Sequence, residues 1–83
     1  MTKVLAELLT AIEQRRPVVL CTIVETSRSV PRHAGSKMLV YGDGTTSGTV
    51  GGGEMEARVI AEALDALSDA RPRRVTYALV DPT

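Results

Sequence analysis

Phenylalanine and tryptophan are missing from this 83-residue chain, and tyrosine occurs only twice, as Tyr41 and Tyr77. A surface that stacks single-stranded nucleic acid needs exposed rings, so that class is disfavoured at the outset. Cysteine occurs once, as Cys21, which excludes an internal disulfide and offers no metal-ligand spacing. Net charge is also lacking, because 10 Lys plus Arg balance 10 Asp plus Glu. No global field therefore draws the chain to polyanions or membrane surfaces. No apolar run approaches the roughly 20 residues of a membrane span. The N-terminal segment alternates charged and apolar residues at helical spacing, unlike a secretory leader. These absences lead to the expectation of a soluble cytoplasmic protein with no nucleic-acid or membrane partner and no bound metal of its own.

What is present is an aliphatic core. The hydrophobic fraction of 43% comes almost wholly from Val, Leu, Ile and Ala, and the length suits one domain over residues 1–83. A chain this short hides only about 60–65% of the surface its unfolded form exposes, so modest stability is expected.

Thr2 can cap a helix from about Lys3 to Arg15, with Val4, Leu5, Leu8, Leu9 and Ile12 on one stripe and Pro17 stopping propagation. Val18 to Val24 is short and β-branched, which reads as a strand buried on both faces and central in its sheet, Cys21 being a buried thiol. Glu25 to Ser36 breaks all periodicity and reads as a long loop. Lys37 to Tyr41 and Thr45 to Val50 form a hairpin about the turn Gly42-Asp43-Gly44. Gly51-Gly52-Gly53 leads into a second helix with Met55, Val59, Ile60, Ala63, Leu64 and Leu67 on its apolar face, ended by Pro72. Arg73 to Val80 alternates well enough to be a last strand. The expected architecture is α+β in the order αβββαβ, with two helices on one face of a small mixed sheet of about four strands.

Three features could carry chemistry. The glycines at 51–53 let the backbone adopt positive φ, and the N–H groups opening the following helix could face an anion. Neither nucleotide fingerprint fits: after Gly51 and Gly53 the third glycine position holds Glu56, and Gly35-Ser36-Lys37 lacks the rest of a P-loop. A turn that merely seats the helix explains the glycines equally well. The second feature is Arg28-Ser29-Val30-Pro31-Arg32-His33, extended by Lys37, with hydroxyls beside it and no acid before Asp43. Such a cluster can grip a phosphate, or can simply be a solvated basic loop, and His33 has no partner pattern for catalysis. The third is Glu54 and Glu56 in the first turn of the helix. Helix-dipole stabilisation accounts for both, and their spacing does not suit a carboxylate pair. A sharper reading has Glu56 turn back to the glycine loop or to Arg32.

With these segments placed, the chain resembles the N-terminal region of the XdhC/CoxI family, the accessory factors of xanthine dehydrogenase and carbon monoxide dehydrogenase. The carrying residues are Val24-Glu25-Thr26-Ser27, Ser29-Val30-Pro31-Arg32 and Ala34 through Val40, then Asp43-Gly44-Thr45 and Gly48 through Gly53, with Glu56 and Ile60 beyond. The resemblance implies binding of the molybdenum cofactor (molybdopterin), assistance in its sulfuration, and transfer to a molybdenum hydroxylase apo-enzyme. It implies an accessory protein and no enzyme, with a sulfur-donor protein as a further partner and a homodimer left open. By carry-over the cofactor-binding positions are Pro31, Arg32, Lys37, Gly51, Gly52, Gly53 and Glu56. The chain departs from the family pattern in its bulkier, more basic loop at Arg28 and Val30, and in Glu54, where many members place a cysteine. A carboxylate cannot replace a thiol as a soft ligand. The competing reading is a protein-interaction or oligomerisation module whose glycines are structural. An anion-binding enzyme is disfavoured, because no nucleophile–base pair is visible.

Overall fold

The computed structural model describes residues 2–24 and 35–75. Helix α1 spans Thr2–Glu13, strand β1 Val18–Thr22, β2 Lys37–Tyr41, β3 Thr46–Gly48 and helix α2 Gly53–Asp69. The α+β class and the order of these elements agree with the sequence reading. The expected last strand lies mainly outside the described residues, and 71–75 have no regular secondary structure.

The described strands pair antiparallel in the order β1-β2-β3. Val19 faces Val40 and Cys21 faces Met38 across the first ladder, and Leu39 faces Ser47 across the second. Among the described residues β2, not β1, is therefore the central strand. The β-branched run of β1 suggested the centre, but burial decides otherwise: Met38, Leu39 and Val40 are fully buried, while Leu20 is exposed. Apolar composition reports that a strand is covered, not how many strands flank it.

Three buried side chains in succession require cover on both faces of β2, because neighbours along a strand point to opposite sides. Met38 and Val40 join Val50 and Ala63 in the main core, against Val59, Ile60 and Leu64 of α2. Leu39 points the other way, towards α1, whose Val4 and Ala11 are buried. Glu7 of α1 accepts a hydrogen bond from Ser47, the cross-strand neighbour of Leu39. The helices thus flank the sheet, one per face, where the pattern alone had suggested a shared face.

Both helices end on a left-handed residue that is not glycine, Arg15 with φ 58° and Ala70 with φ 57°. Each end closes as a Schellman motif: Arg16 N–H donates to Ala11 O at 2.9 Å and Arg71 N–H to Ala66 O at 3.3 Å. Beyond α1, the Arg16 guanidinium lies 4.2 Å from the centre of the Tyr41 ring, tying the helix exit to β2.

The β2–β3 turn follows its sequence signature. Asp43 accepts from Thr45 N at 3.0 Å and from Thr45 Oγ1 at 2.6 Å. The hydroxyl bond is the first cause of an Asp43 carboxyl held below its ordinary range. Gly48 closes β3 with φ +80°, and a Cβ there would lie 2.7 Å from Lys37 O and 2.8 Å from Val4 Cγ2. No other residue type fits that approach of α1, β2 and β3.

Candidate functional site

One end of the sheet collects the sequence motifs. Ile23 N–H donates to Ser36 O at 3.0 Å and Gly35 N–H to Ile23 O at 2.7 Å, so β1 and β2 stay paired up to residues 23 and 35. Residues 24 and 35, which bracket the basic segment in sequence, lie at that end. Because Met38 pairs with Gly48, Lys37 sits beside the end of β3, from which the glycine turn leaves. Lys37 and the turn at 51–53 therefore share one end of the sheet. Arg28, Pro31, Arg32 and His33 lie outside the described residues.

The glycine turn is real and extreme. Gly51, Gly52 and Gly53 have φ of 129°, 77° and 67°. Gly52 combines its φ with ψ of −177°, a region essentially reserved for glycine. Nothing lies within 4 Å of a Cβ added at any of the three, so conformation, and not crowding, demands glycine here.

Glu56 holds the turn in place. Its Oε1 accepts from Thr49 Oγ1 at 2.5 Å, from Gly52 N at 3.1 Å and from Val50 N at 3.3 Å, while Gly51 N–H donates to Thr49 Oγ1 at 3.1 Å. The Thr49 hydroxyl is the main reason the Glu56 carboxyl sits below its usual range, with the Gly52 and Val50 amides adding to it. Of the two readings the sequence allowed, Glu56 turning back onto the glycine loop is the one the geometry bears out. The carboxylate already occupies amides that a ligand phosphate would use.

Glu54 stands apart from this arrangement. It is exposed and pairs with Arg58 one turn on, at 3.2 Å. Such a pair adds little stability, and it places a negative side chain at the start of α2. No side chain caps α2. The fit to an anionic group is thus partial. The helix start is uncapped and open, the upstream amides are satisfied internally, and two carboxylates stand nearby.

Sequence reasoning missed Arg73, which proves to be the most heavily paired cation among the described residues. It reaches Glu62 at 2.8 Å, Asp65 at 2.7 Å and Asp69 at 2.5 Å. The acids recur at i, i+3 and i+7 and share one face of α2, a signal that was legible; their partner from beyond the helix was not. These bonds hold the Arg73 guanidinium well above its usual pKa and, by the same contact, Asp69 below its own. Cys21 lies half-buried in β1, and burial pushes its thiol upward. Among the described residues no cluster of His, Cys, Asp and Glu could hold a metal ion, and no helix is long and apolar enough to cross a membrane.

The fold and this sheet end define a small α+β domain whose strand-to-helix glycine turn is clamped by its own helix. Comparison with known proteins makes the assignment specific. The profile of the XdhC and CoxI family matches residues 11–78, and the chain belongs to that family. It is 46% identical over 61 residues to "Uncharacterized protein YqeB" of Escherichia coli (strain K12), covering 74% of this chain and 11% of that protein. It is 35% identical over 72 residues to "Molybdenum cofactor insertion chaperone PaoD" of the same organism, covering 87% of this chain and 23% of that protein. The chain thus spans 11% and 23% of the length of these two curated relatives. No solved structure matches it significantly.

Proposed function

We propose that this chain is an accessory domain that handles the molybdenum cofactor for a molybdoenzyme of the xanthine dehydrogenase type, and that it binds and passes on the cofactor without catalysis. The observation that carries this reading is family membership over residues 11–78. The relative named as a molybdenum cofactor insertion chaperone supports it. Lys37 and the glycine turn lie at one end of the sheet, which is consistent with a shared site.

Within that proposal the roles divide. Arg32 and Lys37 supply positive charge to the terminal phosphate of the pterin, with Pro31 shaping the segment. The turn at 51–53 opens α2, whose uncapped first amides supply the backbone donors. Glu56 is a positioning residue that keeps the turn shaped. The molybdenum and its sulfur chemistry belong to the cofactor, and Glu54 contributes no soft ligand to them. The recipient apo-enzyme and a sulfur-donor protein are the partners this role requires.

The test is retention of purified molybdenum cofactor by the wild type and by Arg32→Ala, read by pterin fluorescence after gel filtration. Loss of one charged hydrogen-bonding partner should weaken binding by about 10- to 100-fold. Equal retention by both proteins would take Arg32 out of the site. A wild type that retains nothing would turn the assignment to the second reading, a protein-interaction module. A specific observation favours that alternative: Leu5, Leu9 and Ile12 form a stripe on α1 that is 43%, 58% and 60% exposed.

A further inference from the structure

A groove of about 500 Å³ runs between β1 and α2. It has three walls. One is β1 from Val18 to Thr22, with Cys21 among its residues, and another is the face of α2 bearing Val59, Ala63 and Leu67. Arg71, Pro72, Arg73 and Val75 make the third.

The third wall differs in kind from the others. Residues 71–75 have no helix or strand bonds to hold them. Two contacts fasten their start, Arg71 N–H donating to Ala66 O at 3.3 Å and to Asp69 Oδ1 at 3.1 Å. Further along, Arg73 anchors the wall through Glu62, Asp65 and Asp69. Reaching Glu62, eleven residues back, means that the strap folds back along α2 instead of continuing its axis.

We propose that Arg73 is a latch: its contacts with Glu62, Asp65 and Asp69 hold the 71–75 strap as the third wall of the β1–α2 groove, so that access to the groove depends on an ion cluster. The guanidinium is the more enclosed partner, with 24% of its side chain exposed, whereas Asp65 is 69% exposed. Water and salt reach the acids, which makes the latch openable. Ion pairs of this exposure weaken as the Debye length shrinks from about 10 Å at 0.1 M salt to about 3 Å at 1 M. Apolar packing and helix hydrogen bonds in the other two walls lack that sensitivity. Salt should therefore move the strap before it disturbs the fold.

Cys21 is the chain's sole cysteine and forms part of the groove, so it reports opening without engineering. The experiment measures the rate of Cys21 alkylation by iodoacetamide at fixed pH, with Cys21→Ser as the blank. At about 0.05 M NaCl, Arg73→Ala should react about fivefold faster than wild type, the factor corresponding to loss of an ion cluster of this exposure. Raising NaCl to about 1 M should accelerate the wild type towards the variant and leave the variant's rate nearly unchanged. The acid-side variant Glu62→Gln with Asp65→Asn should reproduce the acceleration. Removing a cation disfavours the thiolate, whereas removing acids favours it, so acceleration shared by both variants reports access and not charge. Wild-type rates in both variants, with helix content unchanged by circular dichroism, would overturn the latch. Should Arg73→Ala lose helix content, the acid-side variant decides alone, and a wild-type rate there refutes the proposal.

Discussion

Replacing Glu56 tests whether the glycine turn is clamped or free-standing. The wild-type carboxylate receives the Thr49 hydroxyl at 2.5 Å and the amides of Gly52 and Val50 at 3.1 and 3.3 Å. A hydrogen bond to a charged acceptor contributes about 1.5–3 kcal/mol where water is excluded. Here water reaches the carboxylate and can replace it at Thr49 and Gly52, so most of that value must be discounted. Val50 is buried, and its amide is the donor least able to find water. The net expectation for Glu56→Ala is a loss of about 1–2 kcal/mol, or about 4–16 °C in Tm for a domain of this size. Glu56→Gln keeps one carbonyl acceptor and should lose about half as much.

The pH dependence is the sharper readout. Because folding lowers the Glu56 pKa, its stabilisation is fully present above the unfolded value near 4.5 and is lost as pH falls through the folded value. The stability gap between wild type and Glu56→Gln should therefore be flat from pH 6 to pH 5 and shrink below about 4.5. Thermal unfolding followed by circular dichroism between pH 3 and pH 6 measures both quantities. A Glu56→Ala protein melting within about 1 °C of wild type, or a gap that does not change with pH, would refute the clamp.

Two further substitutions probe the frame around the turn. Gly48→Ala should cost about 2–4 kcal/mol, combining a positive φ with a methyl forced against Lys37 O and Val4; a chemical denaturation midpoint equal to wild type would contradict the close approach. Ala70→Gly should stabilise by up to about 1 kcal/mol, because a left-handed helix end suits glycine and nothing else changes; a lower Tm would show that the Ala70 methyl packs usefully.

The helices were the most legible elements of the fold, but the buried face was read better in α2, where Val59, Ile60, Ala63 and Leu64 pack on the core, than in α1, where Val4 is buried while Leu5, Leu9 and Ile12 of the same expected stripe are exposed. The Gly42-Asp43-Gly44 turn was equally plain, because the Asp43–Thr45 bonds are local and need no tertiary partner. Strand rank was not legible. β1 and β2 are both apolar, and which of them has two neighbours among the described residues depends on the connections, not on composition. Helix placement failed for a related reason: three consecutive buried residues in β2 imply two covered faces, but the same run suits a strand with an incomplete cover. Part of the site could be read as residue types, such as the glycines and Glu56. Its wiring could not: the Glu7–Ser47 bond joins residues 40 apart, and Arg73, although four residues beyond Asp69, lies past Pro72, where the pattern placed a new strand.

The Glu56 clamp also sets a threshold on what could ever occupy the upstream amides of the turn. A carboxylate tethered four residues from Gly52 competes at an effective concentration in the millimolar range or above. Stray acetate, free phosphate or the carboxylates of passing metabolites compete for these amides only as far as their concentration matches that local value. A ligand that brings several simultaneous contacts can take those amides at lower concentration, and its arrival would release a negative charge at the mouth of the turn. The same tether would refill the amides when the ligand departs, so release would need no reshaping of the backbone.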